Sequence, residues 1–262
     1  MADEDRSAGP TVLILGGFLT APPMYRPLVR RLIERGAAGV VVANVWTPDW
    51  LIAGARGIGP ICTRSARAVQ AAVRMSAERS DGAPLLVIGH SAGGLVARLL
   101  TSPEPIQGRH LGAARRIGAI VTLGTPHRLA GGQGIGSRIR DVAAATADAL
   151  VPGAYFAPEI GYVAVASRAV RGDPAGAARQ RVAHLMYRSI IGRAAVPGTE
   201  GDALVPVVAA GLDGARQVVL ERAVHGVRGS WYGSPAALDI WWPIALETWR
   251  AALEQRARAA AS

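Results

Sequence analysis

The stretch LLVIGHSAGGLVARLL, from Leu85 to Leu100, sets one serine among three glycines, between an apolar run and a helical pattern. Leu85–Ile88 is a short, continuously apolar segment of the kind that forms a buried strand, and Ala92–Thr101 repeats its apolar residues at helical spacing. Between them, Gly89-His90-Ser91-Ala92-Gly93 reads G-x-S-x-G. With 32 glycines in 262 residues, that pattern arises by chance in roughly one such chain in five, so the context has to decide its meaning. A strand that turns directly into a helix brings the residues two before and two after the serine close together, and Gly89 and Gly93 are small enough to allow it. The N–H of Ala92, at the helix start, then points toward any negative charge developing beside Ser91. The plainer reading makes Ser91 a helix cap and the glycines ordinary turn residues.

A serine hydroxyl attacks only when a base removes its proton, so the first reading needs a histidine on a loop at the carboxyl edge of the same sheet. Of five histidines, His90 sits inside the turn and is pinned by it, and His127 in TLGTPH suits a structural role. His110 and His184 lie in Arg-rich connections with no strand end before them. His225, in ERAVHG, follows the last strand candidate among small residues and is the expected base. The base needs a carboxylate to hold its tautomer. Asp202 in GTEGDALVP is the expected acid, with Glu200 as the nearest competitor and Asp173, Asp213 and Glu221 less well placed. The order Ser91, Asp202, His225 matches nucleophile, acid and base as this strand-turn-helix setting presents them.

Outward from that stretch, short apolar runs alternate with helical patterns. Thr11–Leu15, Val40–Asn44, Leu85–Ile88, Ile117–Leu123, Leu185–Ile191 and Gln217–Leu220 read as strands. Helices are expected over PMYRPLVRRLIERG with its Gly36 stop, over Cys62–Arg79, and over Pro243–Ala259, where the proline stands near the helix start. Apolar strands separated by helices imply a mostly parallel α/β sheet with helices on both faces, in one domain spanning 1–262. One interval, about 128–184, shows no convincing strand. It carries Gly131, Gly132, Gly134 and Gly136, then helical patterns at Ser137–Leu150 and Ile160–Arg171. A structureless loop that long is improbable, so the interval is expected to be a small helical cap insertion. In Ser137–Leu150, the residues Ile139, Val142, Ala143, Thr146 and Leu150 share the face such a cap would lay over the site.

Charge and cysteine content narrow the possibilities. A net charge of +10 would suit nucleic acid if it were clustered, yet all 29 basic residues are arginine, scattered as singles and pairs such as Arg30-Arg31 and Arg115-Arg116. That is the distribution of solvated helix faces; no nucleic-acid partner is expected, and weak association with anionic surfaces is the most it implies. The lone Cys62 forms no internal disulfide, and MADEDRSAGP lacks the apolar core of a secretory signal, so a cytoplasmic location is expected. No apolar run reaches the ~20 residues needed to span a bilayer.

These motifs together resemble the α/β-hydrolase-fold serine esterases and lipases, over nearly the full length. VLILGGFL is similar to the first core strand with its oxyanion loop, GHSAGG to the nucleophile elbow, and GDALVP and VHG to the acid and histidine loops. TLGTPH resembles a segment of bacterial lipases and GPI inositol-deacylase-like proteins. Where that family usually has His-Gly and an apolar residue at the oxyanion loop, this chain has Gly16-Gly17-Phe18. The resemblance implies that Phe18 N–H, with Leu19 as a close alternative, joins Ala92 N–H as an oxyanion donor. It further implies hydrolysis of small-molecule or lipid esters with no metal or organic cofactor. A thioesterase, amidase or acyltransferase would use the same three residues, and a non-catalytic binding module whose arginines meet an acidic partner stands as the contrasting class. Leu19, Tyr25, Trp46 and Trp231 fall near loops at the expected active edge and are candidates to line an acyl pocket.

Overall fold

A computed structural model describes residues 9–129 and 135–261. Six strands form one parallel sheet: β1 (Thr11–Leu15), β2 (Gly39–Val42), β3 (Leu85–His90), β4 (Ile117–Leu123), β5 (Gly161–Ser167) and β8 (Arg216–Leu220), in the order β2-β1-β3-β4-β5-β8. Two short strands, β6 (Val170–Arg171) and β7 (Glu200–Gly201), pair antiparallel as a separate ribbon. The period-2 alternation of strand side chains builds two cores from the same residues. Leu13, Leu85, Val87 and Ile120 face one layer of helices, and Val12, Leu86, Ile88 and Val121 face the other. Both faces are covered, which is why the central strands β1, β3 and β4 are apolar through most of their length and buried at every position.

On the first face lie α2 (Thr47–Arg56), α3 (Gly59–Arg79), α4 (Ala92–Leu99) and α5 (Ile135–Leu150). The second face is closed by α1 (Arg26–Glu34) and α8 (Pro235–Ala261). Trp241, Trp242 and Trp249 of α8 are buried there. No helix among the described residues is long and apolar enough to cross a membrane.

Three expected elements differ. Ile160–Arg171 is not a helix: it holds β5, whose Tyr162 and Ala164 enter one core and Val163 and Val165 the other. Leu185–Ile191 is not a strand but the end of α6 (Ala178–Ile191), whose buried residues Ala183, His184, Tyr187, Ile190 and Ile191 recur at helical spacing. With α7 (Val207–Ala210), α6 builds a third, smaller core around Tyr187, Val205 and Ala209. Pro243 stands inside α8 rather than at its start, because the helix begins eight residues earlier, at Pro235.

The expected cap insertion at 128–184 is therefore interrupted by a strand of the central sheet. Its first helix, α5, packs on α4 and α2, which cover that sheet. Ala143, Ala144 and Ala147 are buried and Leu150 is partly buried against the first core, whereas Val142 points to solvent. The buried stripe is thus rotated from the expected one. The side chain of Ile139 and the glycines Gly131, Gly132 and Gly134 lie outside the described residues. Arg98 of α4, fully buried, joins α4 to this helix, donating to Asp148 at 2.9 Å and to the Val151 carbonyl at 2.9 Å. Its other arm reaches His127 Nδ1 at 3.2 Å, so His127 has the structural place expected of it.

Candidate active site

Ser91 sits between β3 and α4 with φ 54° and ψ −131°, a backbone conformation that costs a non-glycine residue free energy and persists only where its surroundings impose it. Here the Ser91 N–H donates to the Leu123 carbonyl at 2.9 Å and the Ser91 carbonyl accepts from Gly94 N–H at 3.0 Å. A Cβ on Gly89 would lie 2.6 Å from Gly94 N and 2.7 Å from Gly93 C, and one on Gly17 would lie 2.6 Å from Ser91 Cβ. The turn therefore closes only around glycine.

His225 follows β8 and Asp202 follows β7, and both loops return to the edge where Ser91 stands. His225 Nε2 lies 2.9 Å from Ser91 Oγ, and His225 Nδ1 lies 2.7 Å from Asp202 Oδ2. The two loops are also joined through the backbone, where His225 N–H donates to the Asp202 carbonyl at 2.9 Å. Asp202 has no exposed surface, so its charge must be met internally. Oδ1 accepts from the N–H groups of Leu204 and Val205 at 3.0 and 2.7 Å, and Oδ2 accepts from the Tyr232 hydroxyl at 2.8 Å as well as from His225. Burial pushes the Asp202 carboxyl up, but the His225 ring and these hydrogen bonds outweigh it and hold the group below its ordinary value. The phenol of Tyr232 is held well above its ordinary range by burial and by the Asp202 charge, so it remains a donor.

Glu200, the competing acid, is exposed on β7. The acid loop does not follow a strand at 185–191, as expected, but an excursion from β5 through β6, α6 and β7. Tyr187 of α6 fastens this excursion: its hydroxyl donates to the Val170 carbonyl at 2.9 Å and accepts from Ala203 N–H at 3.1 Å, one residue from Asp202.

The loop expected to supply an oxyanion donor follows β1. Neither Phe18 N–H nor Ala92 N–H has an acceptor among the described residues, and Leu19, at φ 61°, projects its side chain into solvent. Phe18 packs its ring on the first core. Of the residues expected to line an acyl pocket, Leu19 and Trp46 are exposed and lie on neighbouring segments, since Thr47 Oγ1 donates to the Thr20 carbonyl at 3.4 Å. Tyr25 and Trp231 require correction. They are 1% and 2% exposed and packed edge-on against each other and against His90, which leaves neither a face for a ligand. The sequence reading missed Tyr232, whose only signal was a hydroxyl-bearing aromatic a few residues beyond the base.

An imidazole between a buried carboxylate and a serine hydroxyl can take the serine proton and return it, and unpaired N–H groups beside the hydroxyl can stabilise an oxyanion. Comparison with known proteins bears on the fold that carries this arrangement. The model of the PGAP1-like alpha/beta domain matches residues 62–133, which include β3, the Ser91 turn and β4. A lipase of Bacillus licheniformis superposes with a TM-score of 0.61 at 15% identity, over 93% of this chain and 95% of that one. BpoC of Mycobacterium tuberculosis, a candidate non-heme bromoperoxidase, superposes with a TM-score of 0.51 at 13% identity, over 93% and 94%. No curated protein matches the sequence.

Proposed function

From the α/β-hydrolase fold that this chain carries, we propose that the protein is a serine hydrolase of carboxylic esters. Ser91 attacks the ester carbonyl as His225 takes its proton. Asp202 holds His225 in the tautomer that keeps Nε2 free to accept, and Phe18 and Ala92 N–H receive the oxyanion. His225 then returns the proton to the departing alcohol, and water releases the acyl group from Ser91 by the same steps. The observation that carries this reading is the unbroken line from Asp202 Oδ2 through His225 to Ser91 Oγ, with links of 2.7 and 2.9 Å. No step of this scheme calls for a metal or organic cofactor. Exposed Leu19 and Trp46 beside the oxyanion loop favour a small-molecule or lipid ester with an apolar acyl group, and the expected place of work is the cytoplasm.

The test is a fluorophosphonate probe together with p-nitrophenyl esters of graded chain length. Wild type should label at Ser91 and hydrolyse the esters. Ser91→Ala should label nowhere and lose on the order of 10⁴ or more in kcat, with an unchanged melting curve. Equal labelling of both proteins would overturn the reading.

A further inference from the structure

A second hydrogen-bonded line runs behind Ser91, through groups that the proposed reaction does not touch. His90 is buried, with Nε2 3.0 Å from the His225 carbonyl oxygen and Nδ1 2.9 Å from the Tyr25 hydroxyl. A carbonyl can only accept, so Nε2 carries the hydrogen. In the neutral ring, Nδ1 is then a bare lone pair and needs a donor. Burial first, and the neighbouring His225 second, push the His90 ring down to about 3, so it is neutral wherever an esterase works. A phenol has one hydrogen to give. Two acceptors face it, Nδ1 at 2.9 Å and, at 3.2 Å, Thr20 Oγ1, whose own hydrogen goes to the Gly17 carbonyl; the nearer Nδ1 lone pair, which has no other donor, takes the hydrogen. The Tyr25 oxygen in turn faces Gly17 N–H at 3.4 Å.

Every link therefore points one way: Gly17 N–H to Tyr25, Tyr25 O–H to His90, His90 N–H to the His225 carbonyl. The line starts in the oxyanion loop and ends on the backbone of the base. His225 lies on an irregular loop between the buried Ala223 and Val227, and nothing lies within 4 Å of the position a Cβ would take on Gly226, its immediate neighbour. The His225 main chain itself is bonded on one side to Asp202, through its N–H, and on the other to His90, through its carbonyl. Trp231 and Tyr232 wall the line off, with ring centroids 5.7 and 6.4 Å from that of His90. A hydrogen bond screened from water in this way keeps its direction and strength.

We propose that Tyr25 and His90 are positioning residues that lock the oxyanion loop and the base loop to one another, so that the N–H donors and the imidazole meet the same carbonyl at a set separation. The inference rests on Ser91 acting as the nucleophile. Neither residue touches substrate; both act through Gly17 and His225.

The experiment uses the full chain with Tyr25→Phe, His90→Gln and His90→Asn, a p-nitrophenyl ester as substrate, and a fluorophosphonate to titrate working sites. Tyr25→Phe removes one hydrogen bond and should lower kcat per titrated site about tenfold, with KM within about twofold. A Gln amide at position 90 reaches the place of Nε2 and can still donate to the His225 carbonyl, whereas an Asn amide stops short. His90→Gln should therefore retain several-fold more kcat per site than His90→Asn. A purely structural role would lower the melting temperature and the number of titratable sites but leave each surviving site at wild-type speed. That result, or equal rates for the two His90 variants, overturns the inference. Should Tyr25→Phe fail to fold, the Gln and Asn pair decides it. A wild type that takes up no phosphonate overturns the hydrolase reading itself, and a labelled wild type with an unaffected Tyr25→Phe overturns the inference alone.

Discussion

Replacing Asp202 by Asn exchanges one oxygen for an amide nitrogen, and the structure dictates which one. Oδ1 accepts from Leu204 and Val205 N–H, two main-chain donors that cannot reverse. The Asn oxygen must stay on that side, which turns the NH₂ toward His225 and Tyr232. An NH₂ facing His225 Nδ1 requires a lone pair there, so the ring hydrogen moves to Nε2 and points at Ser91 Oγ. The base is then in the wrong tautomer to take the serine proton. Losing that function costs on the order of 10³ to 10⁴ in kcat, equivalent to about 4–5.5 kcal/mol of barrier. Folding suffers less. The Tyr232 hydrogen loses its acceptor while the two backbone bonds survive, a cost of about 1–2 kcal/mol. Steady-state kinetics on a p-nitrophenyl ester, with a urea titration for stability, separate the two effects. Asp202→Asn with kcat within tenfold of wild type would refute the tautomer argument, and a comparable loss in Glu200→Gln would reassign the acid.

Stability should also depend on pH in a definite direction. His90 is held neutral to about pH 3, and His127 is pushed well below its ordinary value by burial, Arg98 and Arg128, whereas both bind protons near 6.5 when unfolded. Between those values the unfolded chain holds more protons, so stability is full above about 6.5 and is lost as pH falls. Going from pH 7.5 to 5.5 should therefore lower the urea midpoint, and His90→Gln should remove its share of that dependence. A midpoint that does not move over this range would contradict the neutral burial of both rings. At the elbow, Gly89→Ala drives a Cβ into the Gly93–Gly94 main chain, which cannot rotate away. It should destabilise by roughly 1–3 kcal/mol and displace Ser91, so that phosphonate labelling slows even in the folded fraction. Labelling at wild-type speed would mean that the turn has slack the geometry does not show.

Two segments whose secondary structure reads wrongly from sequence do so for opposite reasons. Leu185–Ile191 concentrates Leu, Met, Tyr and Ile, so its local content favours a strand. The deciding signal lies outside that window, because the buried stripe includes Ala183 and His184, and only with them does the helical spacing emerge. GYVAVAS, conversely, lacks an apolar-polar alternation because both of its faces are covered, and its Gly, Ala and Ser dilute the hydrophobic run that marks other central strands. The cap expectation inherits the second error. Once β5 takes its place between β4 and β8, α5 is the helix that crosses between two parallel strands, and its buried alanines pack it onto α4, which lies between it and the sheet.

The meeting of Ser91, Asp202 and His225 was legible even though the element before Asp202 was misread, and the reason is topological. In a parallel sheet every strand delivers its following loop to the same edge, so residues far apart in sequence converge there whatever the path between strands. What sequence could not distinguish was an aromatic side chain that lines a pocket from one that packs behind the site. Tyr25 and Trp231 are both near the right edge, and their chemistry suits either place. Their burial against His90 follows from three-dimensional crowding around the elbow: Gly17 and Gly89 let main chains approach so closely that the only room for large rings is behind Ser91. The same glycines that expose the serine hydroxyl thus bury the aromatic residues, and this turns Tyr25 from a candidate contact for substrate into a support for the loops that would grip it.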